Sequence, residues 1–122
     1  MQIKYCVVPV IDTNKGKTFL TRVLGYKHSG PLEINDVLKG ELFQDDRFEF
    51  NFLMVKIDEA SKYRATVLIN TSDCVKRFHE LKQSGVKFVK TPQYFSNGLV
   101  AEFSDRSGNR FILIEERNYE EI

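Results

Sequence analysis

The order of elements in this chain occurs twice, and that repetition limits what it can fold into more than any other feature. Val7 to Gly25 reads as the end of an apolar strand, a cap cluster at Asp12-Thr13-Asn14, a helix with Phe19, Leu20, Val23 and Leu24 at helical spacing, and a terminal glycine. Ala65 to Gly85 repeats the series: an apolar strand over Ala65 to Ile69, a cap cluster from Asn70 to Asp73, an amphipathic helix through Val75, Phe78 and Leu81, and again a glycine. The offset is about sixty residues, and a repeat of that kind makes internal duplication the first architecture to consider.

The remaining segments fill out two modules. Ile3 to Val10 is a short β-branched strand with Pro9 near a sheet edge or strand end. A strand over His28 to Val37 is weakly patterned, whereas Leu38 to Phe43 and Phe48 to Ile57 are clear strands joined by a polar turn at Gln44 to Arg47. Asp58 to Tyr63 is polar and aperiodic, which makes it the linker. Module one then covers about residues 1–57, the linker about 58–63 and module two about 64–117. Within module two, Val86 to Phe95 is extended, Asn97-Gly98 is a hairpin-turn dipeptide, and Leu99 to Phe103 leads to a closing hairpin through Asp105 to Asn109.

That closing hairpin carries a resemblance. Phe103, Asp105, Gly108, Asn109, Phe111 and Leu113 follow the pattern Phe-x-Asp-Pro-Asp-Gly-Asn-x-Ile-Glu-Leu, by identity or conservative replacement. It is similar to the last hairpin of the vicinal-oxygen-chelate superfamily, which comprises glyoxalases, bleomycin-resistance proteins and dioxygenases. Val10 to Gly25 separately resembles the family's first module, with Leu20 where that pattern has Tyr. The resemblance implies a single α+β domain over residues 1–122. Two βαβββ modules would form a curled mixed sheet around a cleft, with helices outside.

Composition bounds the function. With 122 residues, 42% of them hydrophobic and 29% charged, the chain is of ordinary globular type. A net charge of +1 with dispersed basic residues leaves no footprint for nucleic acid. No apolar run is long enough for a membrane helix, and no signal peptide is recognisable, so a cytoplasmic protein is expected. Cys6 and Cys74 lack metal or redox spacing and read as structural thiols.

In the metalloenzymes of the family, a His in the first strand and a Glu in the last strand of each module bind a divalent cation. Alignment on the motifs puts Tyr5 and Thr66 at the His positions and Ile112 at one Glu position, with the fourth position near Glu49 to Phe52. Phenol and threonine hydroxyl are poor substitutes for imidazole, and Ile112 has no donor, so no metal and no cofactor are expected. His28 and His79 read as a helix-end and a helical surface histidine. Strand alternation directs Tyr5, Thr66 and Ile112 into the cleft, together with Ile3, Leu68, Arg110 and Ile114. Pairing of Phe103 with Phe111 sets Glu102 opposite Ile112, with Arg110 as its candidate partner. Phe48, Phe50 and Phe52 are expected to form the facing aromatic wall, or else to fill the core.

The expected function is therefore metal-free binding or sequestration of a small organic ligand. The expected ligand-binding residues are Tyr5, Phe50, Phe52, Thr66, Leu68, Glu102, Arg110 and Ile112, with Glu102 as polar anchor for a cationic or donating group. The resemblance also implies a homodimer and a role in antibiotic resistance. Two other classes stay open. One is a lyase or dioxygenase-like enzyme, metal-dependent or using Glu102 or Tyr5 as acid or base; the other is a regulatory or scaffold domain with a filled cleft.

Overall fold

A computed structural model describes residues 4–48 and 50–117. The chain separates into two compact units, residues 1–65 and 66–122. The first contains β1 (Tyr5–Val10), α1 (Thr13–Thr18), β2 (Lys27–Glu33), β3 (Lys39–Gln44) and β4 (Asn51–Lys56). In the second are β5 (Thr66–Asn70), α2 (Cys74–Gln83), β6 (Phe88–Phe95), β7 (Gly98–Ser104) and β8 (Arg110–Glu116). Each is a βαβββ unit with its own four-stranded mixed sheet, ordered β1-β4-β3-β2 and β5-β8-β7-β6. In both, the first strand runs parallel to the last and the other pairings are antiparallel. This is the α+β, glyoxalase-like fold that the resemblance implies.

The repeat extends to the caps. The Asp12 carboxylate accepts the Lys15 N–H at 3.0 Å and that of Asp73 accepts the Lys76 N–H at 3.0 Å, each satisfying a helix-start donor that has no intrahelical partner. Gly25 and Gly85 end the two helical segments at φ 79° and 94°, a conformation that a Cβ disfavours. The first helix is not uniform, however. Beyond Thr18 it widens into a π-helical turn over Phe19–Val23, closed by Leu24 N–H on the Phe19 carbonyl at 3.2 Å. The hydroxyls of Thr18 and Thr21 donate to the carbonyls of Asn14 and Lys17, and this back-bonding competes with the regular ladder.

Several boundaries differ from the sequence reading. The strand expected over 28–37 is β2, ending at Glu33, because Asn35 accepts the N–H groups of Val37 and Leu38 and folds the next residues into a turn. The strand expected from Phe48 starts at Asn51, because Asp45 gathers the residues before it into a turn. The β6–β7 turn consists of Ser96 and Asn97, with Phe95 paired to Gly98. Gly98 is thus a strand residue, needed because a Cβ there would lie 2.1 Å from the Glu115 carbonyl oxygen. Pro9 and Pro92 lie in the edge strands β1 and β6, where a missing N–H leaves no gap in the interior of a sheet.

One face of each sheet carries its helix. In the second unit the helix-side core is a run of aromatic rings: Phe78 of α2 on Phe88 at 4.6 Å, Phe88 on Phe103 at 5.2 Å, and Phe103 stacked on Phe111 at 5.5 Å. Val8, Val10, Leu20, Phe43, Phe52 and Met54 make the corresponding core of the first. Gly16 of α1 lies so close to Met54 and Val10 that a Cβ would come within 2.8 Å and 2.9 Å of their side chains.

Candidate functional site

The faces of the sheets turned away from the helices hold most of the residues expected at the site. In the second sheet, Leu68 pairs with Ile112 and Ile112 with Glu102, which pairs in turn with Lys90. The adjacent row is Thr66, Arg110 and Ser104, and beyond Ile112 comes Asn70, Ile114 and Val100. Because neighbouring strand residues in register point to the same side, these rows share one face. Phe103 does pair with Phe111, so Glu102 lies opposite Ile112 as the turn chemistry predicts.

The polar part of this face is an ion pair. Arg110 donates to Glu102 twice, from Nε to Oε2 at 3.2 Å and from Nη2 to Oε1 at 2.8 Å. The Glu102 side chain is 10% exposed and that of Arg110 52%. The hydrogen bonds from Arg110 hold the Glu102 carboxyl below its usual range against the opposing effect of burial; Lys90 adds a smaller Coulombic contribution. Leu68, 65% exposed, is the most open apolar side chain of the rows around it. At the other end of β8, Asn97, Ile114, Glu116 and Arg117 line an open hollow of about 570 Å³.

The first sheet supplies the equivalent rows. Tyr5 pairs with Asn51, as Thr66 pairs with Arg110; Val7 pairs with Leu53 and Leu53 with Leu42, as Leu68, Ile112 and Glu102 do. Tyr5 and Thr66 are thus the equivalent first residues of β1 and β5. The equivalent of Ile112 is Leu53, one residue beyond the Glu49 to Phe52 window expected from sequence, and Glu49 itself lies outside the described residues, as does Ile3. The extra residue in the β3–β4 turn is the reason: Phe43 pairs with Phe52 and Phe103 with Phe111, so the first hairpin is one residue longer.

Neither unit supplies ligands for a divalent cation at these positions. Tyr5 and Leu53 in the first offer a phenol and a hydrocarbon, and Thr66 and Ile112 in the second a hydroxyl and a hydrocarbon, in place of imidazole and carboxylate. Among the described residues, no three His, Cys, Asp or Glu side chains are grouped so that they could hold a metal ion.

The aromatic wall is differently placed. Phe52 pairs with Cys6 and Phe43 and alternates with Leu53, so it shares the helix side with Met54 and lies on the opposite face from Tyr5. It is 3% exposed and packs edge-on against Tyr26 at 4.9 Å. Phe48 stacks on Tyr26 at 4.5 Å, and the Tyr26 hydroxyl donates to the Phe50 carbonyl at 2.7 Å. Burial pushes the Tyr26 phenol up to about 12. The Phe50 side chain is 43% exposed. Leu53 and Val55 lie on the face turned away from the helix, where Leu53 is nevertheless buried, at 1% exposure. Both faces of β4 are apolar, and that is why the pattern did not distinguish them.

Sequence reasoning also missed Asp45. It is buried, pairs with Arg47 through Nε at 2.8 Å and Nη2 at 3.2 Å, and accepts the Arg47 backbone N–H at 2.9 Å. Arg47 in turn reaches the Gly25 carbonyl at 2.9 Å, tying the β3–β4 turn to the end of the helical segment. The available signal was Phe-x-Asp at Phe43 to Asp45, repeated at Phe103 to Asp105. His28 lies in β2, 3.4 Å from the Glu41 carboxylate and against the Phe43 ring, and His79 is an exposed residue of α2.

Solved structures share this fold. TnmS3, an antibiotic binding protein from Streptomyces sp. CB03234, is 20% identical with a TM-score of 0.79, over 96% of this chain and 97% of that one. A superfamily member from Sphaerobacter thermophilus is 20% identical with a TM-score of 0.77, over 95% and 98%. UcmS2 is 22% identical with a TM-score of 0.76, over 95% and 98%. No curated protein matches the chain in sequence. The family model for the Glyoxalase/Bleomycin resistance protein/Dioxygenase superfamily matches residues 2–113, and the chain belongs to that superfamily.

Proposed function

We propose that the chain is a metal-free binding protein that sequesters a small organic molecule on the open sheet faces. The observation that carries this reading is the donor set of each unit: Tyr5 with Leu53 in the first, and Thr66 with Ile112 in the second, take the positions where the family's metalloenzymes carry imidazole and carboxylate. Apolar side chains with a few placed polar groups are the usual composition of a small-molecule site, and Leu68, Ile112, Glu102 and Arg110 supply both. The structural likeness to an antibiotic binding protein favours an antibiotic or similar molecule as ligand, and a role in resistance. Phe50 remains a candidate contact through its exposed ring, whereas Phe52 supports the site from the core.

A homodimer and a cytoplasmic location belong to the same proposal. Sedimentation equilibrium should give twice the chain mass at micromolar concentration; a monomer throughout would contradict the dimer. Native mass spectrometry and elemental analysis of protein purified from its own source test the function. A retained organic molecule with substoichiometric metal is expected, and one tightly held ion per chain would overturn the metal-free reading.

A further inference from the structure

We propose that the open face of the second sheet selects a ligand carrying an anionic group, a carboxylate on an apolar body, with Arg110 and Lys90 as its counter-charges and Glu102 as the residue that positions Arg110. The inference rests on the binding function proposed above and specifies its ligand class.

Donor counting sets the polarity. A guanidinium has five N–H donors, and the pair with Glu102 uses two of them, one on Nε and one on Nη2. Both donors on Nη1 and the second on Nη2 are left for another acceptor. Glu102, by contrast, has each oxygen engaged and is almost fully buried. An incoming molecule therefore meets the half-exposed guanidinium, not the carboxylate. Lys90, in register with Glu102 on the other side, is exposed and has no ion-pair partner among the described residues. Two cations against one carboxylate leave an excess positive charge where Ile112 stands in place of a metal ligand. Thr66 and Ser104 flank Arg110 in the same row with hydroxyls, and Leu68, Ile112 and Ile114 continue the face as hydrocarbon. The other acid on this face, Glu116, lies at the opposite end of β8. In the first sheet the equivalents of Glu102, Arg110 and Lys90 are Leu42, Asn51 and Gly30, so the charge is a property of the second unit alone. A cationic ligand would have to displace Arg110 to reach Glu102.

Titration of the full chain with 2-naphthoate, 2-naphthamide and 2-naphthylmethylammonium, read by calorimetry and amide NMR shifts, tests this. The carboxylate should bind about five- to tenfold tighter than the amide, the scale of one partly exposed charge-assisted hydrogen bond. The ammonium should bind weakest. Arg110→Gln alone would strand a buried carboxylate, so the double variant E102Q/R110Q is used; it should fold and lose the preference for the carboxylate over the amide. Lys90→Gln should reduce that preference about twofold to threefold. Equal binding of all three probes, preference for the ammonium, or an unchanged preference in the double variant would overturn the anionic selection while leaving the binding function standing. If no probe shifts the backbone amides of Leu68, Glu102, Arg110 and Ile112, both the anionic selection and the binding role of this face are overturned.

Discussion

Glu102 and Arg110 meet edge to edge, carboxylate to guanidinium, at 3.2 and 2.8 Å, with the acid buried and the base half exposed. The two ends of the pair are therefore unequal. Removing Glu102 leaves a guanidinium that water can solvate, whereas removing Arg110 leaves a carboxylate with little access to water. Arg110→Gln should lower the melting temperature at pH 7 more than Glu102→Gln does, and the double variant should recover part of the loss. Equal losses from the two single variants would show that Glu102 is solvated in solution.

Asp45 gives the chain an acid-sensitive turn. Side-chain and backbone hydrogen bonds from Arg47 bring its carboxyl down to about 2, against an unperturbed value of about 3.9. A depressed folded-state value means that the stabilisation is complete above the unfolded value and is lost as pH falls through the folded one. Thermal unfolding from pH 6 to pH 2 should show this loss between about pH 4 and pH 2, the interval between the two values. Asp45→Asn should start from a lower melting temperature and lose less across that interval. Parallel profiles for the two proteins would remove Asp45 as the source.

Gly40 of β3 is a packing constraint with a backbone neighbour. A Cβ there would lie 2.0 Å from the Met54 carbonyl oxygen and 3.3 Å from a Val55 methyl, and neither strand can yield without breaking its ladder. Gly40→Ala should therefore destabilise the chain by about 1–3 kcal/mol, the range for overpacking a core. Chemical denaturation measures it; a change below about 0.5 kcal/mol, the size of an ordinary surface substitution, would mean that the strands separate more easily than this packing implies.

How much of this was legible in the sequence depended on whether a local pattern admits one structure or two. Asp12 and Asp73 cap helices as their positions suggest, because a short oxygen-bearing side chain before an amphipathic run has few other uses. The row of Glu102 and Ile112 followed from one turn: once Asp105 gathers the N–H groups of Ser107 and Asn109, Phe103 must face Phe111. Phe52 and Leu53 were ambiguous for the opposite reason. Both are buried, and alternation of two apolar faces states that the faces differ without stating which meets the helix. The fourth metal-equivalent position, Leu53, depended on the length of one turn, where a single added residue shifts the register. The π-helical turn at Phe19–Val23 had no signal in hydrophobic spacing, since Leu20 is buried in either helix type.

The central claim, that a small molecule binds the open face of the second sheet without a metal, is tested most directly by titrating the ¹⁵N-labelled full chain with an aromatic antibiotic in the presence of EDTA. The account predicts saturable shifts of the Leu68, Glu102, Arg110 and Ile112 amides, unchanged when a divalent cation is restored. Shifts that occur only after a metal is added, or that are confined to the helix side at Phe78 and Phe88, would contradict it.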